Sequence, residues 1–180
     1  MTMKPHEVKN FDQDAAQWDE HPGKLKMAGD AAAAILREVT LTADMDVMDF
    51  GCGTGLLGLK LLPQVKSLTG VDSSQGMLAA LRNKIKTLGL TNVRAQFLDL
   101  ASGERPSGRY HLIVSSMTLH HVPDTAALFA EWFDLLYPGG QEAGFADVRA
   151  TTASVIGKEV AGQSTREYPI FLITATRRAA

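Results

Sequence analysis

A short apolar run, Val47-Met48-Asp49-Phe50, passes straight into Gly51-Cys52-Gly53-Thr54-Gly55-Leu56-Leu57-Gly58, and no other stretch narrows the choice of fold so far. A strand that ends in glycines at alternate positions and continues into a helical stretch brings its backbone close to a ligand. A merely tight strand–helix turn needs one glycine rather than three. Similar units follow. Ser67–Val71, Val93–Leu98 and Tyr110–Ser115 are short apolar runs ending in polar or glycine residues, and are predicted to be buried strands. Between the strands lies the short apolar helix Leu56–Leu62. Gln75–Leu88 carries Met77, Leu78, Leu81, Ile85 and Leu88 at helical spacing, and Thr125–Leu136 follows Pro123-Asp124, a helix-start signal. Repeated strand–helix–strand units predict an α/β fold: a mostly parallel sheet in three layers, with helices on both faces. Right-handed crossovers then gather the strand C-termini, and with them any ligand crevice, along one edge.

The 180 residues are one domain's worth of chain, and no repeat or interdomain linker divides them. Residues 1–40 read as helical cover: a short helix around Ala15–Glu20, a Pro22-Gly23 break, and a longer helix from Lys24 to Val39. Residues 45–140 hold the core, and 141–180 offer Asp147–Ala153 and Tyr168–Thr176 as strands. With 18 Lys and Arg against 20 Asp and Glu and no long block of either sign, the charge balance argues against a nucleic-acid partner, whose affinity would need a basic face. Cys52 is the one cysteine, excluding an internal disulfide and a multi-thiolate zinc site. No secretory h-region precedes Asn10, and Lys60 interrupts the best apolar run. A cytoplasmic protein without a membrane span is the expectation.

The loop formally contains G-x-G-x-x-G at Gly53–Gly58, the fingerprint of dinucleotide sites, which presents a helix N-terminus to a pyrophosphate. Asp49 at its mouth opposes such an anion. It suits instead a ligand with a cationic portion, such as an amino-acid ammonium near a sulfonium. Gly70-Val71-Asp72 ends the next strand with an acid about 20 residues on, suited to two ribose hydroxyls. Phe97-Leu98-Asp99-Leu100 ends the third strand with an acid beside apolar residues, where an adenine could be held.

Asp49-Phe50-Gly51-Cys52-Gly53-Thr54-Gly55, Gly70-Val71-Asp72, Phe97-Leu98-Asp99-Leu100 and Tyr110-His111-Leu112-Ile113-Val114-Ser115-Ser116 together resemble the successive motifs of class I S-adenosylmethionine-dependent methyltransferases. The resemblance is to the small-molecule "type 11" subgroup, and it implies a Rossmann-like fold. Phe11-Asp12 with Trp18-Asp19 is similar to that subgroup's N-terminal cover helices, and Leu136-Tyr137-Pro138-Gly139-Gly140 to its post-core turn. The resemblance implies S-adenosyl-L-methionine as donor and S-adenosyl-L-homocysteine as product. It puts the loop Gly51, Cys52, Gly53 and Gly55 under the methionine part, with Asp49 near its ammonium. Asp72 then takes the ribose hydroxyls, and Asp99 with Leu100 the adenine. Ser73 and Met77 line the adenine or serve as a polar turn and a core methionine. Ser115 and Ser116 face the donor methyl or simply end the fourth strand.

Methyl transfer from a sulfonium is an in-line displacement whose thioether leaving group needs no acid, so positioning and water exclusion carry the reaction. An unactivated acceptor needs a base, and His120 and His121 in Thr118-Leu119-His120-His121-Val122-Pro123-Asp124 are the candidates. A packing role for His121 and an N-cap role for Asp124 are the simpler readings. Adjacent histidines on an extended turn point apart, so no metal site is expected there. Phe11, Trp18 and His21 line an acceptor lid or pack a cover helix. Cys52, inside the loop, reads as a small buried spacer.

One departure from the family stands out. After Pro138-Gly139-Gly140 the family continues with a fifth strand and a helix, whereas Gln141-Glu142-Ala143-Gly144-Phe145 follows here at once. The sheet is therefore expected to be short by about one strand. Either Asp147–Ala153 moves beside the fourth strand with Tyr168–Thr176 antiparallel at the edge, or a second chain supplies the strand in a homodimer, or the given sequence omits residues. The expected activity is methyl transfer to a small-molecule acceptor. A non-catalytic donor-binding module and, on the nested glycine pattern alone, a nicotinamide-dependent oxidoreductase are the alternatives.

Overall fold

The computed structural model describes residues 11–99, 104–137, 144–160 and 163–178, the last two stretches as backbone. The chain opens with α1 (Phe11–Asp14), which runs into a 3-10 turn over Ala15–Glu20 and then α2 (Pro22–Glu38). The expected break between the short Ala15–Glu20 turn and the longer helix falls at His21, and Pro22-Gly23, rather than forming the break, makes the first turn of α2. Proline fits there because its missing N–H has no intrahelical acceptor to lose, and His21 caps the turn, its Nδ1 accepting the Gly23 N–H at 3.2 Å.

Four strands follow: β1 (Asp46–Phe50), β2 (Ser67–Asp72), β3 (Val93–Phe97) and β4 (Leu112–Ser115). They pair in parallel in the order β3-β2-β1-β4, with Asp49 opposite Gly70 and Val114, and Phe50 opposite Val71 and Ser115. Between them lie α3 (Gly58–Leu61), which gives way to a 3-10 turn at Leu62–Gln64, and α4 (Gln75–Thr87). After β4 come a 3-10 turn at Leu119–His121 and α5 (Thr125–Leu135). Asp124 is the N-cap of α5, its Oδ1 accepting the Ala127 N–H at 2.9 Å.

Period-2 alternation divides the strand side chains between two helical layers. On one face Val47, Leu68, Val93 and Val114 pack with Ala31, Ala32 and Ile35 of α2 and with Leu57 and Leu61, while Leu78 and Leu81 of α4 join Cys52. On the other face Met48, Phe50 and Val71 pack with Leu128 and Trp132 of α5. Burying such side chains is worth about 2 kcal/mol each, which is what holds the strand ends, and the loop beyond β1, in fixed register. The expected three-layer α/β fold is the observed one. No helix among the described residues is long and apolar enough to cross a membrane.

The tail differs from expectation. β5 (Gly144–Val160) and β6 (Gln163–Arg178) pair antiparallel with each other in a separate two-stranded sheet, and Asp147–Ala153 does not lie beside β4. A tight hairpin connection makes the local antiparallel partner available before any distant edge. Among the described residues β4 is therefore an edge strand of a four-stranded sheet, and the chain beyond it does not extend that sheet.

Candidate functional site

The loop after β1 is shaped by three glycines with positive φ: Gly51 at 71°, Gly53 at 54° and Gly55 at 85°. The Gly51 and Cys52 N–H groups both donate to the Val71 carbonyl, at 2.8 and 3.1 Å, so the loop folds back across the end of β2. A Cβ on Gly51 would stand 2.0 Å from Thr118 Oγ1, which makes that glycine a packing requirement. Gly53 is different. A Cβ there would sit in ordinary van der Waals contact with Met77 Sδ and Trp18 Nε1, each at 3.9 Å, so its backbone faces a gap about one carbon wide beneath those two side chains.

Asp72, half-buried at the end of β2, stands beside Gly53. Its Oδ2 accepts the Gly53 N–H at 2.7 Å and its Oδ1 the Ser74 N–H at 2.9 Å. Each oxygen keeps a further lone pair for a ligand hydroxyl. Asp49 lies beneath the loop, 2% exposed, with Oδ2 accepting the Gly58 N–H at 3.0 Å. Burial pushes its carboxyl up to about 7, partly offset by the Gly58 bond and reinforced by the nearby Asp72 charge. Burial, then the two carboxylates, also holds the Cys52 thiol well above its usual range, so Cys52 stays protonated and fills space rather than attacking.

A strap formed by residues 11–21 lies across the loop. Asp12 Oδ1 accepts from Ser74 Oγ at 2.6 Å and from the Gly76 N–H at 2.8 Å, at the first turn of α4. These bonds, the Ser74 hydroxyl first, hold the Asp12 carboxyl below the usual range. Asp19 accepts from Thr54 Oγ1 at 2.5 Å and pairs with Lys84 of α4 at 2.5 Å, and Lys84 Nζ also donates to the Thr54 carbonyl at 2.8 Å. Trp18 carries the Lys24 ammonium over its ring and meets the Phe11 ring edge-on at 6.0 Å.

Phe11 also meets the His121 ring at 5.3 Å. His120 and His121 share a 3-10 turn with ring centroids 3.9 Å apart, so they do not point apart as an extended turn would require. No group of three or more metal-ligating side chains occurs among the described residues.

Strap, glycine loop, Asp72 and the turn after β4 thus meet at the C-terminal edge of the sheet. Met117 in that turn has φ 59°, the one positive φ outside glycine among the described residues, with its side chain 49% exposed. Ser115 ends β4 with its Oγ buried and without a partner among the described residues. Ser73 is exposed and Met77 is buried in α4. Asp99 is half-buried after β3, its N–H donating to Glu104 at 3.3 Å. Leu100 and the Pro138-Gly139-Gly140 turn lie outside the described residues. His21 caps α2 instead of joining the strap's ring cluster. Sequence reasoning missed Asp19, Thr54 and Lys84. Their only signal is a lysine on α4, since the pairing spans 65 residues between Asp19 and Lys84.

The sequence profile of a family described as "Methyltransferase domain" matches residues 47–140, more than half of the chain. An uncharacterized methyltransferase of Schizosaccharomyces pombe is 27% identical over 78% of this chain and 49% of its own. The ubiquinone biosynthesis O-methyltransferase of Nitrosococcus oceani is 28% identical over 78% of this chain and 61% of its own. The chain therefore spans about half to three fifths of the length of these curated relatives. Among solved structures, the DhpI–SAM–HEP complex aligns with 99% of this chain and 86% of its own, at a TM-score of 0.61 and 20% identity. The match covers the four parallel strands and the glycine loop that they carry, and the chain belongs to the methyltransferase-domain family, with its class I α/β fold.

Proposed function

We propose that this chain binds S-adenosyl-L-methionine under the 11–21 strap and transfers its methyl group to a small-molecule acceptor. The observation that carries the reading is the bare Gly53 backbone at positive φ, its N–H held by the Asp72 carboxylate and its face covered by Met77 and Trp18. Those residues fit the donor. Gly53 and its neighbours offer close approach to the methionine part, and Asp72 offers free lone pairs to vicinal ribose hydroxyls. The Asp72 carboxylate gives the region the negative potential that an ammonium and a sulfonium require, and the buried Asp49, pushed up to about 7, adds to it once ionised. The ubiquinone-biosynthesis relative supports an acceptor of small-molecule kind.

When bound, the donor supplies an electrophilic methyl whose departure leaves a neutral thioether. The protein's part is positional. Asp72 and the loop fix the donor's orientation, worth several kcal/mol if the acceptor meets the methyl in line. The strap's Phe11 and Trp18 and the His121 ring exclude water from the same edge. His120, exposed beside His121, is the candidate to take a proton from an acceptor hydroxyl or amine. Ser115 Oγ can orient the acceptor from the end of β4.

The reading is tested by titration calorimetry with S-adenosylhomocysteine, with NADH as the comparison ligand, on the wild type and on Asp72→Ala. The expected result is saturable one-site binding of the first ligand alone, weakened roughly 10-fold or more by loss of charged hydrogen bonds in the variant. Binding of NADH, or affinity untouched by Asp72→Ala, overturns the donor assignment. Donor binding without methylation of any phenolic, amine or carboxylate acceptor leaves a binding module in place of an enzyme.

A further inference from the structure

We propose that Lys84 is a positioning residue that latches the 11–21 strap to the glycine loop and thereby governs how fast the donor enters and leaves. Three elements meet at its ammonium. One N–H donates to the Thr54 carbonyl of the loop at 2.8 Å, and the charge pairs with Asp19 of the strap at 2.5 Å. The triangle is closed by Thr54 Oγ1, which donates to the other Asp19 oxygen at 2.5 Å. Thr54 is fully buried, while the Lys84 and Asp19 side chains are 26% and 36% exposed. The pair is thus less screened than one on an open surface, and it is hydrogen-bonded on both sides.

Position makes this more than a surface ion pair. Asp19 follows Trp18, whose Nε1 stands 3.9 Å from where a Gly53 Cβ would be. A ligand that uses the Gly53 backbone must pass under Trp18, and Trp18 cannot lift while Asp19 is held. Lys84 also holds the carbonyl of the residue between Gly53 and Gly55, so opening the strap and relaxing the loop are one event. The far end of the strap is fastened separately, by Asp12 to Ser74 and Gly76. A Cβ on Gly76 would lie 2.8 Å from the Asp12 Cα and carbonyl oxygen, so Gly76→Ala pries up that end without touching the Lys84 triangle. The coupling to the donor rests on the function proposed above; the latch itself does not.

Hydrogen–deuterium exchange of the intact chain separates the two. In the free protein, Lys84→Met, which keeps the stem and removes the charge, is expected to speed exchange across residues 15–21 roughly 10-fold, as for a lost charge-assisted contact, with α2 unchanged. Gly76→Ala opens residues 11–14 first. With S-adenosylhomocysteine added, the wild-type strap gains protection, and Lys84→Met both takes up and releases the ligand roughly 10-fold faster in stopped-flow mixing and displacement. Thr54→Val combined with Lys84→Met costs less than the sum of the two, because both break one triangle. Equal strap exchange in wild type and Lys84→Met overturns the latch, whatever the ligand does. A strap that opens in the variant but never responds to S-adenosylhomocysteine in the wild type overturns the donor coupling and the proposed function together.

Discussion

Asp49 shows what a single residue's placement can impose on the fold. Its carboxyl is pushed up to about 7 by burial, against an unperturbed value near 3.8. A raised carboxyl means that the folded chain holds a proton that the unfolded chain has already released. The stabilising difference is therefore complete below pH 4 and is lost as pH rises through 7. Asp49→Asn keeps an acceptor for the Gly58 N–H and removes the titration. It should raise the chemical-denaturation midpoint at pH 8 by the equivalent of at most about 4 kcal/mol and change little at pH 4. If Asp49 also serves a ligand ammonium, the same variant binds S-adenosylhomocysteine more weakly while being more stable. The glycines make a second pair of opposites. Gly51→Ala drives a Cβ into Thr118 and should cost about 3 kcal/mol or more in thermal denaturation. Gly53→Ala places its Cβ in ordinary contact with Met77 and Trp18 at a φ of 54°, so it should cost only about 1 kcal/mol yet abolish measurable donor affinity. The alternating glycines were legible because glycine alone tolerates those angles. That Asp49 turns under the loop toward Gly58 was not, because sequence shows which residue ends a strand and not which face its side chain takes.

At the scale of elements, local signals served well wherever the partner was local. Asp124 caps α5 as its place before Thr125 predicts, and Ser74 caps α4 by accepting the Met77 N–H at 3.1 Å. Asp124→Ala should lower stability by about 1 kcal/mol, seen in the denaturation midpoint, and leave the main sheet intact. Pro22-Gly23 marked the break one residue late, because the pair opens the second helix when a capping side chain precedes it. Packing partners were less legible. Trp132 of α5 meets Phe50 edge-on at 5.2 Å, but its Nε1 is buried with no acceptor among the described residues. Trp132→Phe keeps the edge-on contact and removes the orphaned donor, so the two effects oppose each other. The net change in denaturation midpoint should stay within about 1.5 kcal/mol, well short of the 3–5 kcal/mol cost of Trp132→Ala. Sequence patterns marked the strap as a cover, but its fastening escapes them for a related reason. Asp12, Asp19 and Lys84 read as ordinary surface charges until tertiary structure brings them together across the glycine loop.

The whole molecule joins a four-stranded parallel sheet, covered on both faces, to a long two-stranded ribbon in a separate sheet. The first part was legible because each strand–helix unit is short and its crossover is right-handed by chain chirality. The second was not, because pairing of β5 with β6 or with β4 is a competition between a local turn and a distant edge, and strand patterns are the same in both outcomes. That competition leaves β4 bonded to β1 on one side, with a single bridge from Tyr110 to Leu136 beyond it among the described residues. A ribbon with strands of 17 and 16 residues likewise has two long edges, and isolated two-stranded sheets are marginal in water. Unpaired edges invite strands from other molecules. The chain should therefore self-associate, with the weight-average mass in sedimentation equilibrium rising from one copy toward two at micromolar concentrations. If association through the ribbon edges leaves the glycine loop, Asp72 and strap unobstructed, S-adenosylhomocysteine affinity should not vary with protein concentration. An affinity that rises with concentration would instead mean that the second copy completes the site, since only then does dimer formation bind ligand more tightly than the single chain.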